Sequence, residues 1–176
     1  MSHRNETGEF SFCESYPKHI IIIRWIILSI AFGLGIYILL GLHLVLSIIY
    51  IAYSLIALTL VLPLSRCVSC FYHGKSCNTG WGKIAAYLFK KGDESKYVER
   101  YNYAIFLHLL WLIPLLVALL QLIRLRNILA LSTAAVYVLL LFMEKITLKK
   151  LCCIRCRQRE FCPALPFRKM EQQGLS

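Results

Sequence analysis

Residues 25–65, WIILSIAFGLGIYILLGLHLVLSIIYIAYSLIALTLVLPLS, carry no Asp, Glu, Lys or Arg. One membrane helix needs ~20 apolar residues, and this run is about twice that length, so two helices share it. A tight turn at Gly41 to His43 leaves a first span over residues 20–40 and a second ending near residue 62. Pro63 brings no N–H to a helical ladder and biases the residue before it toward extended backbone, so the second span is expected to stop there. Residues 101–123 are likewise uncharged and suit a third span, in which Pro114 predicts a kink. Residues 125–143, broken only by Arg126, suit a fourth.

Composition points the same way. With 59% hydrophobic and 16% charged residues and a mean hydropathy of +0.64, the chain cannot dress the surface of a soluble domain of its size. The expected fold is an all-α integral membrane protein with four transmembrane helices in two hairpins. Residues 1–19 form a polar N-terminal tail, 20–62 the first hairpin, 63–100 a Cys-rich loop with an interfacial helix, 101–148 the second hairpin, and 149–176 a Cys-rich basic tail. The whole is one membrane domain. Residues 1–19 mix charges and no small-residue cleavage site follows the first apolar run, so that run is expected to stay as a membrane helix rather than serve as a cleaved leader. Trp81, Ile84, Ala85, Leu88 and Phe89 recur at helical spacing with Lys83, Lys90 and Lys91 beside them, the pattern of an amphipathic helix lying on the membrane. Gly92 is expected to end it, and Asp93 or Ser95 to cap the helix that follows.

Orientation follows from the cations. The loop after the second span holds Arg66, Lys75, Lys83, Lys90, Lys91, Lys96 and Arg100, and the C-terminal segment holds Lys145, Lys149, Lys150, Arg155, Arg157, Arg159, Arg168 and Lys169. The opposite turns offer only His43, Arg124 and Arg126. Cytoplasmic flanks are enriched in Lys and Arg, so both termini and both Cys-rich segments are expected in the cytoplasm. The formal charge of +11 is explained by anionic lipid headgroups at these membrane exits, with no nucleic-acid partner, because the helices leave no room for a soluble binding domain.

Seven of the eight cysteines follow the second and fourth apolar runs. The first group reads Cys67-Val-Ser-Cys70-Phe-Tyr-His73-Gly-Lys-Ser-Cys77, and the second Cys152-Cys153-Ile-Arg-Cys156-Arg-Gln-Arg-Glu-Phe-Cys162-Pro163. Each contains C-x2-C, whose two thiols can close on one metal ion. Zinc would be satisfied by Cys67, Cys70, His73 and Cys77 alone, or by one C-x2-C pair from each segment. Gly74 supplies the permissive backbone of a tight ligand loop, and Gly80 and Gly82 add freedom beyond it. Arg155, Arg157 and Arg159 are expected to favour thiolate over thiol. An iron-sulfur cluster competes with zinc: C-x2-C-x2-H-x3-C resembles the bacterial ferredoxin run with His73 in the third place, and the second segment ends in Cys-Pro. Neither segment completes that run, and no family is assigned on it. Laying Cys153 and Cys156 on Cys67 and Cys70 also places a helical hairpin before each pair, which hints at two parallel half-repeats.

The bland alternatives are disulfides, disfavoured by a reducing cytoplasm, and acylation of Cys152 and Cys153, which does not explain two C-x2-C pairs. Cys13 reads as an unliganded thiol. His43 suits a turn at the far interface. His108, two turns into the third span, is a hydrogen-bonding residue of the bundle or a ligand to a quinone or haem cofactor. Glu144 is expected to pair with Lys145, Lys149 or Arg66. The tyrosines, with Trp81 and Trp111, belong to interface belts and packing. No nucleotide-binding Gly-rich loop, H-E-x-x-H or paired intramembrane carboxylate is present.

The function these features favour is a small polytopic membrane protein with a cytoplasmic cysteine-rich metal site, structural or partner-docking in role, with a protein partner on its Cys-rich face. The alternative is a membrane redox protein that passes electrons from an iron-sulfur centre or thiols to a quinone or partner oxidoreductase. Transfer of a soft cation across the bundle is a third class, opposed by the absence of thiols and acidic pairs within the spans.

Overall fold

The second apolar helix runs straight through Pro63. In the computed structural model, which describes residues 13–125, 128–153, 156–159 and 162–163, α2 (Leu44–Ile56) continues through two wide π-helical turns, Ala57–Val61 and Pro63–Cys67. The Val68 N–H reaches back to the Pro63 carbonyl at 2.9 Å, the five-residue reach of a π turn. Pro63 opens that turn, where a lost N–H is tolerated and its fixed φ already suits a helix. The helix therefore ends at Cys67 itself. The fourth helix, α6 (Ile128–Thr147), is extended in the same way by a π turn over Leu148–Cys152. Each apolar helix thus closes on the first cysteine of a cluster.

Four helices are long and apolar enough to cross a membrane: Lys18–Leu40, Leu44–Cys67, Glu94–Arg124 and Ile128–Cys152. The first is α1 (Lys18–Leu40), which begins directly after Pro17. His43 precedes α2 and its Nδ1 accepts the Val45 N–H at 3.2 Å, so this histidine is a helix cap. Between the second and third spans lies the short helix α3 (Gly82–Leu88), packed on the π turn at Pro63–Cys67 through buried Ala85, with Tyr87 90% exposed. Asp93 caps the start of the third span by accepting the Ser95 N–H at 3.0 Å. That span contains α4 (Tyr97–Tyr101) and α5 (Ile105–Leu125), joined by a tight turn over Asn102–Ala104. The described residues contain helices and no strand. The expectations placed on residues 1–12, on Arg126 in the last turn, and on Arg155, Arg168 and Lys169 lie outside the described residues.

Helix α1 packs against α2, α5 and α6. Its Gly35 sits against Pro114 of α5, where a Cβ would stand 3.1 Å from the proline Cγ, so glycine lets the two helices approach without displacing the ring. Pro114 leaves the Leu110 carbonyl without its helical N–H, and the Tyr50 hydroxyl donates to that carbonyl at 2.9 Å. Tyr137 donates to Trp111 O at 3.2 Å, and Gln121 donates to Ile38 O at 2.7 Å. The outward faces carry exposed Ile26, Leu55, Leu120 and Leu139, as a lipid-facing surface requires.

Candidate thiol centre

Both cysteine segments and the N-terminal stretch before α1 meet at one end of the bundle. Tyr16, Ile20, Tyr72, Cys77 and Cys152 form one buried cluster, with Cys13, Cys70, Phe71 and Cys156 packed against it. Two tyrosines tie the three strands of chain together. The Tyr16 hydroxyl donates to Cys152 O at 2.7 Å, while the Tyr16 N–H donates to Ser76 O at 2.9 Å. The Tyr72 hydroxyl donates to Cys13 O at 2.6 Å and accepts the Arg157 N–H at 3.2 Å. Cys70 Sγ donates to Gln158 Oε1 at 3.0 Å, which is a direct link from the loop to the C-terminal segment.

The loop holding Cys67 to Cys77 is shaped by its glycines. Gly74 and Gly80 both have φ near +79°, the left-handed region that side chains rarely adopt. Gly82 serves closeness instead: a Cβ there would lie 2.4 Å from Lys75 O. Its N–H donates to Cys77 Sγ at 3.1 Å, and the Tyr72 N–H donates to Cys70 Sγ at 3.5 Å. Amide donors aimed at sulfur favour a sulfur that carries negative charge.

Burial outweighs the basic neighbours at these thiols. It pushes the Cys70 thiol up to about 12, with Cys156, Cys77 and Cys162 adding to the rise against the Tyr72 N–H. It pushes Cys153 up to about 11, assisted by Cys162, Cys156 and Cys152. Cys156 is raised by burial too. The expectation that the arginines favour thiolate is therefore corrected for Cys70, Cys153 and Cys156: Arg157 is turned over the Phe71 ring at 4.6 Å, and desolvation of these sulfurs dominates. The protein holds these sulfurs as neutral thiols when no metal replaces their protons.

The compact ligand set expected within one segment is not assembled. His73 directs Nε2 to the Phe89 carbonyl at 3.1 Å, Cys77 Sγ bonds Thr79 Oγ1 at 3.1 Å, and Cys70 is committed to Gln158. Because a carbonyl only accepts, His73 Nε2 carries the proton and Nδ1 is left as an acceptor. Among the described residues no three His, Cys, Asp or Glu groups stand together as they would around an ion. Cys67, Cys77 and Cys152 are buried, and Cys70, Cys153, Cys156 and Cys162 half-buried. The structure brings the two segments together, but as packed thiols, with Cys70 and Cys77 holding hydrogen bonds of their own. His108 lies elsewhere, exposed on α5 with Nδ1 bonded to its own helix at Ala104 O, 3.0 Å, and is not part of this cluster.

Beneath the thiols lies an ion pair that links helices. Arg24 of α1 donates through Nε and Nη2 to Glu144 Oε1 of α6, and through Nη1 to Asn78 O at 2.7 Å. Their side chains are only 6% and 15% exposed, and Glu144 Oε2 is buried without a partner. Glu144 thus pairs with Arg24 rather than with Lys145, Lys149 or Arg66, because Arg24 stands beside it on the adjoining helix; Arg66 instead covers the Tyr101 ring at 5.0 Å. Trp25 adds a second tie from α1 to the loop, donating to Thr79 O at 3.0 Å. The sequence signal for the pair was a lone cation within the first span and a lone carboxylate near the end of the fourth, each needing a partner in lipid. Tyr16, Tyr72 and Gln158 had no such signal.

No protein-family pattern, curated protein or solved structure matches the chain.

Proposed function

We propose that this membrane protein binds one soft metal ion, zinc, between its two cysteine segments, on the cytoplasmic side, and that the ion braces the two helical hairpins and fixes a face for a partner protein. The observation that carries this reading is the packing of loop Cys70 and Cys77 with Cys152 and Cys156 of the C-terminal segment in a single cluster. Cys156 and Cys162 of the C-terminal segment, with Cys77 of the loop, add to the rise at Cys70, which supports thiols of both segments lying within reach of one another. Zinc in a closed, four-coordinate sulfur site supplies a cross-link and no redox step. The amide donors on Cys70 and Cys77 support charged sulfur, and the turning of a few side chains away from Gln158 and Thr79 frees the thiols for the ion. Uptake displaces thiol protons, so affinity rises with pH. The basic residues around this end meet anionic lipid headgroups.

Metal analysis of protein purified without oxygen tests the reading. One zinc per chain is expected, with Cys70→Ser and Cys156→Ser each losing it entirely. A brown protein with acid-labile sulfide would move the same thiols to an iron-sulfur centre and the redox class. Metal-free protein with every thiol titratable, or independent partial losses in the two variants, would overturn the shared site.

A further inference from the structure

A cleft of about 580 Å³ opens between the second and third spans at the same end of the bundle. Val61, Leu64 and Phe106 make its apolar wall, and Lys96, Glu99 and Arg100 make its polar one. Leu64 and Phe106 are 44% and 48% exposed and face outward from the helices, as an acyl chain would require. Among the described residues none of the three charged side chains forms an ion pair; the pairs present are Arg24 with Glu144 and Lys91 with Glu94. Asp93, beside the cleft, is satisfied by the Ser95 N–H and hydroxyl, although it feels the charges of Lys96 and Arg100.

We propose that this cleft seats a phospholipid with a primary amine in its headgroup, specifically an ethanolamine phospholipid. Lys96 and Arg100 match the phosphate, Glu99 matches the ammonium, and the first acyl carbons lie on Val61, Leu64 and Phe106. A purely anionic headgroup would place Glu99 against a like charge, whereas a zwitterion uses both signs of this wall. The ammonium matters chemically because it has three N–H donors for a carboxylate, which a choline headgroup lacks. This inference is independent of the thiol site and needs only the membrane setting.

Retention of defined lipids by the detergent-solubilised full chain in native mass spectrometry tests it, using ethanolamine, glycerol and choline phospholipids with the same acyl chains. The ethanolamine lipid is expected to be retained best. Lys96→Gln with Arg100→Gln is expected to weaken retention of ethanolamine and glycerol lipids alike by about tenfold, the loss of one charge-assisted contact or more. Glu99→Gln is expected to bring the ethanolamine lipid down to the choline level without weakening the glycerol lipid. Preference of the unaltered protein for the glycerol lipid, or an ethanolamine preference that survives Glu99→Gln, overturns the proposal. Glu99 is exposed, so if the double variant fails to fold the Glu99→Gln arm decides alone.

Discussion

The middle of the bundle and its cysteine-rich end handle buried polar groups in opposite ways. In the middle, Tyr50 and Tyr137 donate to main-chain carbonyls of a neighbouring helix, as Gln121 does nearer the Gly41 turn, and no charge is involved. These contacts complete backbones in a setting without water, including the carbonyl orphaned by Pro114. At the cysteine end, Arg24 gathers a carboxylate and a loop carbonyl, and the sulfurs gather one another. The first region closes its polar needs. The second holds several ionisable groups close together, with Glu144 Oε2 still unpartnered, and it is the end at which we propose the metal binds.

Substitutions sharpen this contrast. Arg24→Ala strands a buried carboxylate, and removing one member of such a pair costs about 3–5 kcal/mol. Thermal unfolding in detergent should show the largest loss here, together with faster labelling of Cys152 by thiol reagents; unchanged labelling would mean that Arg24 does not hold the cysteine-rich end together. Tyr50→Phe leaves the Leu110 carbonyl unsatisfied and should cost about 1–3 kcal/mol, while leaving thiol labelling as it was. Loss of thiol protection in that variant would break the distinction between the two regions. Gly35→Ala should cost about 1 kcal/mol as the added methyl presses on Pro114, again in melting and not at the thiols.

A separate lever is pH. The Cys70 thiol lies well above its ordinary value of 9.0, at about 12, because burial disfavours its charge. In the metal-free protein the stability held by the neutral thiol is full below the ordinary value and falls as pH rises from 9.0 toward about 12, since the unfolded chain ionises first. Melting of metal-free protein should therefore be level near neutrality and decline in the alkaline range, and Cys70→Ser should flatten that decline. An equal decline in both proteins would remove Cys70 as its source.

Much of the contrast was legible from hydropathy and charge. The uncharged run of residues 25–65 defines two spans, and four helices of spanning length are present. Asp93, one of the two caps the sequence offers, caps the third span, and Gly74, read as a permissive backbone position, adopts a left-handed φ of +79°. Pro63 misleads because a proline rule written for the α-helix interior does not cover the opening of a π turn. The site was half visible. C-x2-C spacing marks thiols worth examining, but a helix period cannot report that Tyr16 and Tyr72 draw three distant segments onto one another, or that Cys13 packs among the other sulfurs. Likewise, counting nearby arginines predicts ionised sulfur, while the depth of each sulfur, which only packing sets, decides the opposite.

The central claim is that the two segments supply one sulfur site, and X-ray absorption at the zinc edge of the anaerobically purified protein tests it most directly. Four sulfur neighbours at about 2.3 Å in a single shell are the expected result. A mixed shell with an imidazole nitrogen, lost in His73→Ala, would place the ion within the first segment alone and contradict the shared site.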